Sequence, residues 1–112
     1  MGELTLHTVV LKEGDWWLIQ GLEYDFVTLA RRLDDVPGEI RRWLYLLAIA
    51  SRQSGIELFA GYSPAPRRFW QMYEDASPWG DPVPPVNLPE DLDFNPMIEI
   101  RLLEQQGEEV PC

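Results

Sequence analysis

Cysteine and histidine are almost absent from this chain: Cys112 is the only cysteine and His7 the only histidine. A single thiol excludes a disulfide within the chain and points to a reducing compartment, so a cytoplasmic protein is expected. Cys112 itself reads as an exposed thiol without a role. His7 has no second histidine with which to share a metal ion, and it reads as a strand residue satisfied locally. Long apolar runs are missing too. The longest, residues 43–50, is too short to span a bilayer. Met1-Gly2-Glu3-Leu4-Thr5 carries neither a basic region nor an apolar stretch, so no secretory signal is expected.

The usual chemical signatures are equally sparse. Ser51 and Ser54 lack a G-x-S-x-G context, and Glu90, Asp91 and Asp93 lack the glycine and closing glutamate of a calcium loop. Glu23 and Asp25 flank Tyr24 without a nucleophile or a glycine-rich phosphate loop nearby, and read as a solvated loop. No metal, cofactor or catalytic residue is expected, and the chain does not read as an enzyme.

Basic residues are few: nine against nineteen acids, a formal net charge of −10. The excess is uneven. Residues 1–53 hold eight acids and six bases, whereas residues 54–112 hold eleven acids and three bases. An acidic second half repels nucleic acid and anionic lipid, so neither direct nucleic-acid binding nor membrane attachment is expected. It favours a basic protein as partner, including one that itself acts on nucleic acid. Arg31-Arg32 and Arg41-Arg42 are the one basic concentration, and they read as partners for acids such as Asp34 and Asp35.

What the chain does have is aromatic area: five tryptophans, four tyrosines and four phenylalanines in 112 residues. Such side chains dominate cores and interfaces. The length suits one domain with a real core. Residues 4–11 are β-branched and apolar, 12–15 supply turn residues, and 16–20 resume as a second strand, which together predict an antiparallel hairpin. Residues 26–30 read as a third strand. Asp34 or Asp35 can cap a helix whose first turn tolerates Pro37, with Glu39 favourably near its start and Gly55 at its end. Val36, Ile40, Trp43, Leu44 and Leu47 share one face of it. Tyr45, Leu46 and Ile49 make its other side apolar as well. That side needs cover from the rest of the chain or from a second subunit, and it is the candidate seam of a homodimer.

The second half is less regular. Residues 56–60 suggest a short strand, and Ser63-Pro64-Ala65-Pro66 opens a short helix over 67–74. Its Phe69, Trp70, Met72 and Tyr73 either cover the open side of the long helix or face a partner. Six prolines in residues 77–96 forbid regular structure and favour an extended strap. That strap carries Trp79 and Phe94 as candidate apolar anchors, with Glu90, Asp91 and Asp93 to meet a partner's bases. Residues 97–103 alternate as a last strand, Met97 or Ile98, Ile100 and Leu102 pointing inward, and 104–112 read as a fraying acidic tail. The fold expected is α+β. One domain, 1–112, holds an antiparallel three- to four-stranded sheet with a long helix on one face (core 1–53, insertion 54–96, last strand 97–103).

From about residue 9 to 49 the chain resembles the HicB-like antitoxin family. Glu13-Gly14-Asp15-Trp16-Trp17 is similar to that family's first turn and aromatic second strand, and Gly21-Leu22 stands where its strand-ending loop falls. Phe26-Val27-Thr28 and Asp34-Asp35-Val36-Pro37-Gly38-Glu39-Ile40 resemble its third strand and the acidic start of its helix. The resemblance implies a βββαβ fold, usually dimeric, and the binding and masking of a small basic RNA-cleaving toxin. Leu22-Glu23-Tyr24-Asp25 replaces the family's proline-glycine-cysteine-like loop. The proline-rich acidic segment stands where many members carry an operator-binding module. Two functions are therefore expected as alternatives. One is an inhibitor or sequestering module for a basic, nucleic-acid-acting protein. The other is a structural subunit that self-assembles through Tyr45, Leu46 and Ile49.

Overall fold

The structure is a computed structural model that describes residues 3–80 and 95–103. Its elements are β1 (Glu3–Glu13), β2 (Trp16–Gly21), β3 (Val27–Ala30), a 3-10 turn (Leu33–Asp35), α1 (Val36–Ser54), α2 (Arg67–Asp75), β4 (Ser77–Pro78) and β5 (Asn95–Leu102). They form one sheet in the order β3-β2-β1-β5-β4 with helices on both faces. The fold is α+β, as composition and pattern predict. The sheet departs from expectation in having five strands and in being mixed, because β5 runs parallel to β1, pairing Leu6 with Ile98 and Val10 with Leu102. A parallel neighbour needs a long crossover, and the stretch from α1 to β5 supplies it.

The β1–β2 hairpin closes on Gly14-Asp15, with Glu13 opposite Trp16. Strand alternation then sorts the side chains. Leu6, Val10, Ile19, Ala30 and Ile100 face α1, while Val9, with Leu22 beyond the end of β2, faces α2. In β5, Ile98, Ile100 and Leu102 contribute to the α1 side and Met97 is exposed, which resolves the inward choice in favour of Ile98.

Helix α1 buries Val36, Ile40, Leu44 and Ala48, a stripe at every fourth position. Fully burying a Val, Leu or Ile side chain stabilises by about 1.5–3 kcal/mol, so this stripe is what anchors the helix. Asp35 takes the N-cap position, but neither it nor Asp34 makes a side-chain cap hydrogen bond; Asp34 lies 3.6 Å from Arg32 instead. Gly55 ends the helix in the left-handed region at φ 77°, its N–H donating to the Ser51 carbonyl at 2.9 Å.

Residues 56–60 are not a strand. They belong to a turn in which Phe59, at φ 67°, stacks on Tyr24 at 4.0 Å and approaches Trp43 at 6.5 Å. Trp43 also stacks on Phe26 at 4.0 Å and meets Tyr62 edge-on. Much of the aromatic surplus thus clamps this turn onto the flank of α1, where ring contacts offset a strained backbone. The chain itself covers the Trp43 flank. Tyr45 and Leu46 stay exposed and Ile49 is half-buried.

Candidate functional site

Helix α2 begins after Pro64 and Pro66, whose fixed backbone angles suit the approach to a helix start, and ends where Ala76 turns extended before Pro78. It does not lie on the open side of α1, one of the two placements its sequence allows. It sits across the opposite face of the sheet, with Tyr73, Phe69 and Met72 packed around Val9, Leu22 and Ala65. Tyr73 is only 9% exposed, which removes it from the outer docking surface expected of it. Trp70 is 37% exposed and lines a shallow open depression with Arg67, Gln71, Glu74 and Asp75.

The charges of α2 are reversed relative to its dipole. Arg67 and Arg68 occupy the first turn, where backbone N–H groups already carry positive partial charge. Glu74 and Asp75 occupy the last turn, where the free carbonyls are negative. Among the described residues no ion pair within 4 Å engages Glu74 or Asp75. A helix arranged this way leaves two carboxylates facing solvent beside an exposed indole, while the Tyr73 carbonyl of the same turn is taken by Arg101 and the Ala76 N–H. An arginine or lysine of another protein fits that chemistry, through charge and through stacking on the ring.

Beneath α2 lies a polar clasp that sequence reasoning missed. The His7 N–H donates to Glu23 Oε1 at 2.8 Å, and the His7 ring Nδ1 is bonded to the second oxygen of the same carboxylate. His7 Nε2 lies 3.8 Å from Glu99 Oε1, and the Tyr73 hydroxyl reaches that oxygen at 3.5 Å. Arg101 donates to the Tyr73 carbonyl at 3.0 Å and stacks over its ring at 4.3 Å. Burial, opposed by Arg101 and reinforced by Glu99, raises the Tyr73 phenol above its ordinary value of 10.0. Glu23 is therefore no free loop carboxylate, and the clasp ties α2, the loop after β2 and β5 together. His7 and Glu23 lie 16 residues apart in the chain, and no local pattern announces their meeting.

The other expected site residues are dispersed. Trp79 is half-buried against the core beside β5, its N–H donating to the Ile100 carbonyl at 3.1 Å, so it anchors its own chain. Glu90, Asp91, Asp93 and Phe94, most of the strap and the acidic tail lie outside the described residues. On the far face, Tyr45 is 45% and Leu46 53% exposed, the two open members of the candidate seam. Of the basic pairs, Arg32 meets Asp34 and Arg42 meets Glu39 at 3.6 Å each, while Arg31 stacks over Trp16 at 4.6 Å. Among the described residues no group of three or more His, Cys, Asp or Glu is arranged to hold a metal, and no helix is long and apolar enough to cross a membrane.

Compared with known proteins, the chain matches no family model, no curated protein and no solved structure.

Proposed function

We propose that the protein is an acidic interaction module that binds and inhibits or sequesters a basic, nucleic-acid-acting protein, using the outer face of α2 as its contact surface. The carrying observation is the reversed charge order of α2 beside the exposed Trp70. Local placement of these charges costs helix stability, and residues that break a local rule tend to serve binding. The net charge of −10 steers a basic partner in and repels nucleic acid, so the partner and not this chain touches RNA or DNA. The resemblance to HicB-like antitoxins over residues 9–49 points to the same class of partner. Glu90, Asp91, Asp93 and Phe94, outside the described residues, are further candidate contacts in this reading.

The test is capture from an extract of the source organism, with wild-type bait beside Trp70→Ala and a Glu74→Lys/Asp75→Lys double variant. A basic nucleic-acid-acting protein should bind wild type, elute as salt rises, and fail to bind the double variant. Equal capture by all three baits, or capture indifferent to salt, removes α2 from the reading. A second reading, a self-assembling structural subunit, draws on the exposure of Tyr45 and Leu46. A monomeric wild type at micromolar concentration removes it.

A further inference from the structure

Strand β3 ends the sheet, and among the described residues no strand pairs with its outer edge. The Phe26 carbonyl accepts from the Gly21 N–H on β2 at 2.8 Å, so this carbonyl and the backbone groups of Thr28 and Ala30 point inward, while the Phe26 N–H donates to the Tyr24 carbonyl. Those of Val27 and Leu29 therefore point outward, and among the described residues no backbone hydrogen bond uses them. Their side chains lie on the α2 face of the sheet, beyond the reach of that helix, and are 51% and 44% exposed. Natural sheets blunt such edges with charge, proline or a bulge. The opposite edge does so, ending in Ser77–Pro78. Residues 27–30 carry none of these.

We propose that this edge pairs antiparallel with the same edge of a second copy, making one continuous sheet across a two-fold axis through Thr28. Parity restricts the register, because only residues with outward backbone groups can exchange hydrogen bonds across the axis. Centring on Thr28 sets Val27 opposite Leu29 of the second copy, and Leu29 opposite its Val27, so both outward residues of each strand are satisfied. The same register sets Asp25 opposite Arg31 of the second copy, twice by symmetry. Registers centred on Val27 or on Leu29 set Asp25 opposite a leucine instead. Charge complementarity thus selects a second copy as occupant.

The neighbouring contacts agree. The Asp25 N–H is already taken by the Ser63 carbonyl at 2.7 Å, so the backbone ladder stops at the Val27–Leu29 pair and side chains span the next position. Arg31 is held over Trp16 at 4.6 Å, on the face where Val27 and Leu29 are exposed. Thr28 pairs with its own symmetry mate at the close, non-hydrogen-bonded position, where Thr–Thr pairs are favourable. The contact is separate from the outer face of α2 and does not depend on the function proposed for that face.

Sedimentation equilibrium of the full chain tests the proposal. Wild type should show twice the 13.0 kDa monomer mass in the micromolar range. Leu29→Pro removes an outward N–H that the monomer does not use, so it should be monomeric with an unchanged circular dichroism spectrum. Arg31→Glu should weaken the dimer about tenfold by placing like charges opposite each other twice, and adding Asp25→Arg should recover most of that loss. A monomeric wild type at 100 micromolar, as an order-of-magnitude ceiling for a specific dimer, overturns the proposal. So does a dimer indifferent to Arg31→Glu, or one lost on Leu46→Lys alone. Arg31→Glu decides the matter even if Leu29→Pro fails to fold.

Discussion

Reversing Glu74 and Asp75 to lysine should make the protein more stable and, on the proposed function, less able to bind. Both residues stand in the last turn of α2, at the negative end of the helix dipole, where Arg101 meets the Tyr73 carbonyl but no ion pair within 4 Å engages either carboxylate among the described residues. Each unfavourable charge at such a position costs about 0.3–1 kcal/mol at low salt, and a favourable one contributes a similar amount. Exposure places both at the low end, and screening cuts the effect further, so the double variant should gain about 1 kcal/mol. For a domain of this size that is a rise in melting temperature of about 4 °C. Thermal melts followed by circular dichroism, at low and at high salt, measure it. The gain should shrink as salt rises. An unchanged or lower melting temperature at low salt refutes the reasoning, because these carboxylates would then be stabilised by something in the fold that offsets the dipole.

Gly21→Ala should be severe for a different reason. A Cβ at this position would lie 2.2 Å and 2.3 Å from the Phe26 ring and 2.8 Å from the Tyr24 carbonyl, and Phe26 is pinned on Trp43. Overpacking against a fixed ring costs about 1–3 kcal/mol, which a urea titration would detect as a lower midpoint at unchanged slope; an unaltered midpoint means that the ring yields. Tyr73 should contribute to the loss of stability at alkaline pH. Its acidity is lowered by the fold, so folding favours the neutral phenol, and that contribution is fully present below pH 10.0 and lost as pH rises through the raised value. Tyr73→Phe should flatten the loss of stability above pH 10.0, and an unchanged alkaline profile would assign that loss to other groups.

The hairpin was legible because its signals are local: alternating apolar residues on either side of Gly14-Asp15. Helix α1 was legible for the same reason, through Val36, Ile40 and Leu44 and the terminal Gly55. Residues 56–60 misled because Ile56, Leu58 and Phe59 read as strand formers. Stacking of Phe59 on Tyr24 outweighs that propensity and holds a left-handed residue in a turn. The amphipathic character of α2 was visible, but not which surface it would cover. Trp70 is on the outside and Tyr73 on the inside because α2 packs on the sheet and not on the open side of α1.

Composition and local periodicity alone determined the acidic charge, the missing disulfide, the hairpin, the long helix and the short one. Each depends on neighbours within a turn or two of chain. Tertiary structure decided that β5 lies parallel beside β1, that helices occupy both faces, and that Glu23, His7, Glu99 and Tyr73 meet. Those contacts join residues far apart in sequence. Only the crossover topology, set by the need to bury both faces of one sheet, brings them within reach.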